Sequence, residues 1–260
     1  MNQHRKDAPA DTLEELESLG ERLAQWVGAN PAVVLGVAGA ILLIAASIGG
    51  YRAYSHARVE KASAALAAVR GEFMTAMGGK PTDAEVPEPA NAEAARSIRT
   101  DFAERYAMLA RDWSGTPTAA LALLEAGQLY EQLGNRERAL ELWTEAVAGA
   151  ATGSPVVGVI QSRIGHLQED AGDFAAASRA HEAAAAVPGY PLRIDALADA
   201  ARTSADAGQT DRALDLYRQI ESEAPEAQLA PHVEARLEEI AARAGGAAPD
   251  AKTPASPPAP

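Results

Sequence analysis

The 260 residues carry 23 basic and 36 acidic side chains, for a formal net charge of −13, and contain no cysteine. Disulfides, thiolate catalysis and Cys-ligated metal sites are therefore excluded, and nucleic-acid binding, which needs a basic stripe, finds no run of Lys and Arg to supply one. Apolar residues make up 47% of the chain and aromatics only 5%, with alanine prominent, which favours helices over bulky strand packing and predicts an all-α fold.

Residues 1–25 form an acidic N-terminal segment; up to Arg22 it holds three basic and six acidic side chains. No charge follows until Arg52, and residues 26–52 are predicted to be a single transmembrane helix. Its centre, "PAVVLGVAGAILLIAASIGGY" at 31–51, includes nine Val, Leu or Ile residues and would span about 31 Å as a helix, the thickness of a bilayer core. Trp26 on one side and Tyr51 and Tyr54 on the other lie where interfacial aromatics belong. A signal peptide has a short basic lead and a shorter apolar run, so this segment is expected to stay as an anchor. The basic residues flanking it are Arg5, Lys6 and Arg22 before, and Arg52, Arg58, Lys61 and Arg70 after. Counted alone, they assign the C-terminal part to the cytoplasm by a margin of one charge. Ala32, Gly36 and Ala40 place small residues at every fourth position, a spacing that allows close helix packing in a membrane.

Residues 53–91 are read as a linking helix and loop. The stretch 55–77 keeps helical spacing and either extends the membrane helix or forms a first solvent-side helix, and "GGKPTDAEVPEPAN" then breaks it. Residues 92–112 return to helix, with Ile98, Phe102, Tyr106 and Leu109 on one stripe, and the two helices are expected to pair as an antiparallel hairpin.

The chain then repeats itself. Turn glycines Gly134, Gly172 and Gly208 align three units at about 120–153, 158–191 and 194–227. Gly127, Tyr130, Gly134, Ala139, Trp143 and Ala146 in the first unit take the small, aromatic, turn, small, aromatic and small positions of a tetratricopeptide repeat (TPR). Gly165, Gly172, Ala177 and Ala184 do so in the second, where Gln168 and His181 replace aromatics. Ala201, Gly208, Ala213, Tyr217 and Pro225 do so in the third. The units resemble TPR hairpins, and His181, holding an aromatic position, is expected to pack between helices. Residues 230–243 read as a capping helix with Val233, Leu237 and Ile240 on one side, and 244–260 as a Pro/Ala-rich disordered tail. The fold class expected is a single transmembrane helix followed by a TPR-like α-solenoid at 92–243, each hairpin covering the apolar face of its neighbour.

No catalytic or cofactor-binding residue is singled out. His4, His56, His166, His181 and His232 show no HExxH or HxH spacing, so no metal site is expected, and no phosphate loop or GxSxG elbow occurs. The chain is therefore expected not to be an enzyme and to have no small-molecule substrate. The TPR resemblance implies a concave groove lined by the first helix of each unit: Leu124, Gln128, Glu131 and Gln132, then Ser162, His166, Glu169 and Asp170, then Ala198, Arg202 and Asp206. That set leans acidic and predicts basic or amphipathic polypeptide partners.

The order of acidic lead, span, linking helix and repeats is similar to the YfgM-like ancillary subunits of the bacterial SecYEG translocon. The likeness includes Trp26 and Asn30 in "ELESLGERLAQWVGANP" and the entry into the repeats, "DWSGTPTAALALLEAG" at 112–127. This resemblance implies an inner-membrane, single-pass protein with a cytoplasmic N-terminus and periplasmic repeats. Its expected partners are Sec translocon components, chaperones or unfolded clients, with no nucleic acid. Two alternatives stay open: a scaffold of an envelope assembly complex, such as outer-membrane, pilus or division machinery, and a cytoplasmic-facing adaptor.

Overall fold

The computed structural model describes residues 20–22, 25–151, 153–227, 229 and 231–244. Most of the expected acidic segment and the tail from residue 245 lie outside the described residues. The chain forms two compact units, residues 1–57 and 58–260, each described by itself.

In the first unit, residues 25–29 are helical and Asn30 ends that turn, its side-chain amide donating to the Trp26 carbonyl at 3.0 Å. Pro31 then opens α1 (Pro31–Ala76), with the fixed φ and missing N–H that suit a first helical position. The helix is long and apolar enough to cross a membrane, and none of its most apolar stretch is buried by the rest of the chain. Leu35, Leu42 and Leu43 are 70% exposed or more. The buried core helix of a soluble protein would show the reverse. Ser47 donates its hydroxyl to the Leu43 carbonyl at 2.8 Å, so its one polar group is satisfied within the helix.

The second unit takes the residues of α1 from Arg58 onward. Then follow α2 (Ala92–Asp112), α3 (Pro117–Gln132), α4 (Arg136–Gly149), α5 (Pro155–Asp170), α6 (Phe174–Ala185), α7 (Arg193–Asp206), α8 (Thr210–Glu223) and α9 (Pro231–Ala244). The described residues contain no strand. The end of α1 runs antiparallel to α2: Glu72 pairs with Arg105, and the rings of Phe73 and Phe102 lie 5.3 Å apart. It also runs alongside α3 in the same direction, through Ser63 to Thr118 (3.2 Å) and Arg70 to Glu125. Residues 58–76 thus stand beside α3 as the first helix of a hairpin that precedes the three sequence repeats. Of the two readings that periodicity left for 55–77, the continuous helix is the observed one.

Within the first two repeats, a small residue on the first helix sits under a ring sixteen positions later on the second. A Cβ on Gly127 would overlap the Trp143 indole, and one on Gly165 would lie 2.5–2.7 Å from atoms of the His181 ring. Trp143 is fully buried and donates Nε1–H to the Leu124 carbonyl at 3.2 Å. Ala201 is buried at the same position of the third unit, with Tyr217 half-buried above the second core. Ala139, Ala146, Ala177, Ala184 and Ala213 are each fully buried and let the remaining helix contacts close.

The three turns are alike. Gly134, Gly172 and Gly208 adopt φ of +80°, +80° and +76°. In each, the glycine N–H bonds back three residues and the next N–H five residues, as with Gly134 to Glu131 and Asn135 to Tyr130. This left-handed closure ends a helix at little cost only with glycine. Asn135 and Asp173 then cap the following helices, accepting from Arg138 N and Ala176 N. Pro225 lies in the turn after α8, and Val233 and Ile240 of α9 are buried against the second core. The Leu237 side chain lies outside the described set.

Gly165→Ala should destabilise the full-length chain by about 1–3 kcal/mol through overpacking against His181. Gly149→Ala, at a helical glycine with open space around it, should be neutral or slightly stabilising. Thermal melts followed by circular dichroism in detergent read both, and equal losses would contradict the close-approach role of Gly165. In the first unit, Leu42→Arg should cost roughly 2.5–3.5 kcal/mol of membrane insertion, read as loss from the carbonate-resistant membrane fraction.

Candidate functional site

The first helices α3, α5 and α7 lie in one row, with residues 58–76 of α1 before them and α9 after. Side chains bridge that row. Arg202 of α7 binds Glu169 of α5 through two N–H groups at 2.6 and 2.8 Å. Within its own helix it also reaches Asp199 at 3.3 Å and Asp206 at 3.8 Å. Asp206 in turn accepts from Arg236 of α9 at 2.9 Å, and Arg236 donates to Glu239 at 2.6 Å. At the other end of the row, Gln132 accepts from Arg99 of α2 at 3.0 Å, and Arg99 is also paired with Glu88 of the preceding loop.

Leu124 and Ala198 of the expected groove set are buried in the two apolar cores and offer no surface. Gln128, Glu131, Gln132, Ser162, His166, Glu169, Arg202 and Asp206 are partly or fully exposed. Of these, Glu169, Arg202 and Asp206 are brought together in one chain of ion pairs. Asp170 turns instead to Arg136 at the start of α4, at 3.2 Å. Ser162 shares a 3.1 Å hydrogen bond with the Tyr190 hydroxyl, and the Tyr190 ring fills the space that a side chain on Gly158 would need. Tyr190, Arg99 and Arg236 all lie outside the positions that the repeat register marks, so sequence spacing gave no sign of them.

Beside Glu169 lies a cluster of polar side chains. His181 of α6 is fully buried, and neither ring nitrogen has a hydrogen-bond partner. His166 of α5 meets it edge to face with ring centroids 4.9 Å apart. Donor atoms of His166, Glu169 and His181 all lie within 4.8 Å of one another. Burial lowers the His181 pKa to about 4; Asp199 and Glu169 oppose that shift, while His166 and Arg202 add to it. The imidazole is therefore neutral at physiological pH. The hydrogen bond from Arg202 holds the Glu169 carboxyl below its ordinary range. Sequence spacing gave no sign of this cluster, because its donors come from two helices. The one linear trace is His166 and Glu169 at i, i+3, on one helix face.

The packing defines a TPR-like α-solenoid preceded by one helix able to cross a membrane. No protein-family model matches the chain, and no curated protein does. Among solved structures it is similar to the nearly identical TPR-like repeats of a Podosopora anserina protein assigned as a kinesin light chain. That match has 18% identity over 58% of this chain and 82% of that one, with a TM-score of 0.45. A single-substitution variant of the same repeats gives 20% identity over 60% and 81%, with a TM-score of 0.47.

Arg202→Ala should destabilise the chain by about 1–3 kcal/mol, because it leaves Glu169, Asp199 and Asp206 facing one another half-buried and without their shared cation. Arg218→Ala removes only an exposed i, i+3 pair with Asp215 and should change stability by less than about 0.5 kcal/mol. Urea denaturation of the two variants side by side measures the difference.

Proposed function

We propose that the chain is a membrane-anchored, non-enzymatic TPR-like module for protein–protein interaction. In this reading its N-terminus is cytoplasmic, and its repeats stand in the bacterial periplasm, assisting the Sec translocon and periplasmic chaperones with emerging polypeptides. The observation that carries the interaction role is the row of first helices, whose partly exposed polar side chains form one face of a unit that follows an all-round apolar helix. The Sec assignment draws on the resemblance to YfgM-like subunits.

A binding face of this kind gains from tethering, since confinement beside its partners raises their effective concentration. The row's character also refines the partner class. Glu169 and Asp206 already face arginines, so charge alone gives a basic partner less than the sequence suggests. Gln128, Glu131, Ser162 and His166 add hydrogen-bonding groups beside them, which suits an amphipathic segment that places polar groups against the row. The second reading, a cytoplasmic-facing adaptor, is favoured by one observation, the single extra basic residue after the span.

Alkaline phosphatase fused after Arg243 should be active in cells, whereas an inactive fusion beside an active cytoplasmic reporter would establish the cytoplasmic reading. A photo-crosslinking residue at Gln128 or His166 should capture translocon components or a nascent secretory chain, while one at Arg218 should not. Crosslinks confined to positions outside the repeats would remove the binding role from this face. Copurification in mild detergent with a stable envelope assembly complex, and without Sec components, would replace the Sec assignment.

A further inference from the structure

We propose that His166, Glu169 and His181 form a binding site for a divalent ion of the zinc class, held between the two helices of the second hairpin. Two neutral imidazoles and one carboxylate are the donor set of three-ligand zinc sites, which keep a fourth position for water. Imidazole donors select zinc-like ions over magnesium or calcium. The proposal stands apart from which polypeptide the first-helix row takes.

The first observation is convergence. His166 and Glu169 stand three residues apart on α5, so both point from one face, and His181 enters from α6. Their donor atoms lie within 4.8 Å of one another. Ligands on one tetrahedral zinc are separated by about 3.3 Å, given bonds of about 2.0–2.1 Å. His166 is exposed and Glu169 partly exposed, so both side chains can close that gap by rotation.

The second observation is independent of spacing. His181 is fully buried, yet both of its ring nitrogens lack a partner. Buried polar atoms are satisfied in the great majority of cases, and an exception calls for a cause. One of its ring nitrogens lies within 4.8 Å of the donor atoms of His166 and Glu169, and the face of the ring rests against Gly165 of α5, the helix that carries those two donors. A metal ion bound there would give one of those nitrogens its missing partner. A phenylalanine would fill the same place without the desolvation cost, as Trp143 does one repeat earlier.

The third observation is charge. The three carboxylates of Glu169, Asp199 and Asp206 gather around the single guanidinium of Arg202, and Arg236 reaches this group only at Asp206. A cation beside Glu169 offsets the negative charge that remains. Arg202 binds Glu169 in the structure. When a metal takes one Glu169 oxygen, Arg202 keeps Asp199 and Asp206 within reach, so its cation is not stranded. Binding would therefore loosen the link from α5 to α7 as it ties α5 to α6.

The test uses the full-length chain in mild detergent, titrated with ZnCl2 against a chromophoric chelator, with CoCl2 in parallel. One equivalent of zinc should bind, and cobalt should give the visible absorption of a four-coordinate site. His166→Ala and Glu169→Gln should each weaken zinc binding tenfold or more, since even partners of metal ligands cost about 10–100-fold when lost. His166 is exposed, so its loss should leave the apo melting temperature in place. Zinc should then raise the melting temperature of the unaltered chain and not that of His166→Ala. Affinity unchanged within about twofold in both variants, no zinc uptake by the unaltered chain, or an equal thermal shift from MgCl2 would each overturn the proposal.

Discussion

The repeat unit depends on one contact, a small residue on the first helix lying under a ring on the second. Gly127 under Trp143 brings α3 and α4 together so closely that no side chain fits between them, and the same spacing recurs at Gly165 and His181. Close approach excludes water from both helices and presents a ridge of alanines to the next hairpin. Interiors are packed at crystal density, so a missing methyl at these points is a requirement rather than a tolerance. The turn glycines follow from it, because antiparallel helices this close must be joined within a few residues.

The second hairpin keeps this geometry while changing its chemistry. One apolar core runs from Leu66 to Leu167, and a second from Ala184 to Ile240. The buried polar residues Ser178, His181, Thr203 and Ser204 lie on α6 and α7. Ser178 and Ser204 share a 2.6 Å hydrogen bond, Ser178 also donates to the Ala200 carbonyl, and Thr203 donates to the Asp199 carbonyl at 2.7 Å. The hydroxyls are satisfied locally and His181 is not. In a solenoid, stability is close to a sum over neighbouring interfaces, and these groups lower the apolar share of the interface between α6 and α7.

Much of this was legible in the sequence. The period, the turn glycines and the alternation of small and aromatic residues follow from local rules, and the stripe of Ile98, Phe102, Tyr106 and Leu109 lies on the helix Ala92–Asp112. The apolar helix was readable from composition alone. What spacing could not give was pairing between elements far apart in the chain. The antiparallel pairing of residues 58–76 with α2 was an expectation, but their run alongside α3 through Ser63 and Arg70 was not, since contacts across 55 positions leave no periodic trace. The groove set was legible only in part for the same reason. Leu124 and Ala198 share a helix with groove positions yet face inward, and the acidic tilt of the set is partly offset by Arg136 and Arg236, which lie outside it and pair with Asp170 and Asp206.

Those arginines carry a further consequence. Every ion pair found among the described residues of the repeat unit uses arginine, and several join neighbouring hairpins: Arg70 to Glu125, Glu182 to Arg212, Glu169 to Arg202 and Asp206 to Arg236. Exposed pairs contribute little to stability, yet a planar guanidinium bound to a carboxylate fixes direction and register in a way that a lysine does not. Alanine-rich faces are smooth and specify register poorly by shape, so the arginine bridges supply what the small side chains leave out. A polypeptide that lies across the first-helix row must exchange with these bridges rather than add to them. In the proposed reading, recognition there would rest on hydrogen bonding and fit more than on net charge, even though the chain as a whole is strongly acidic.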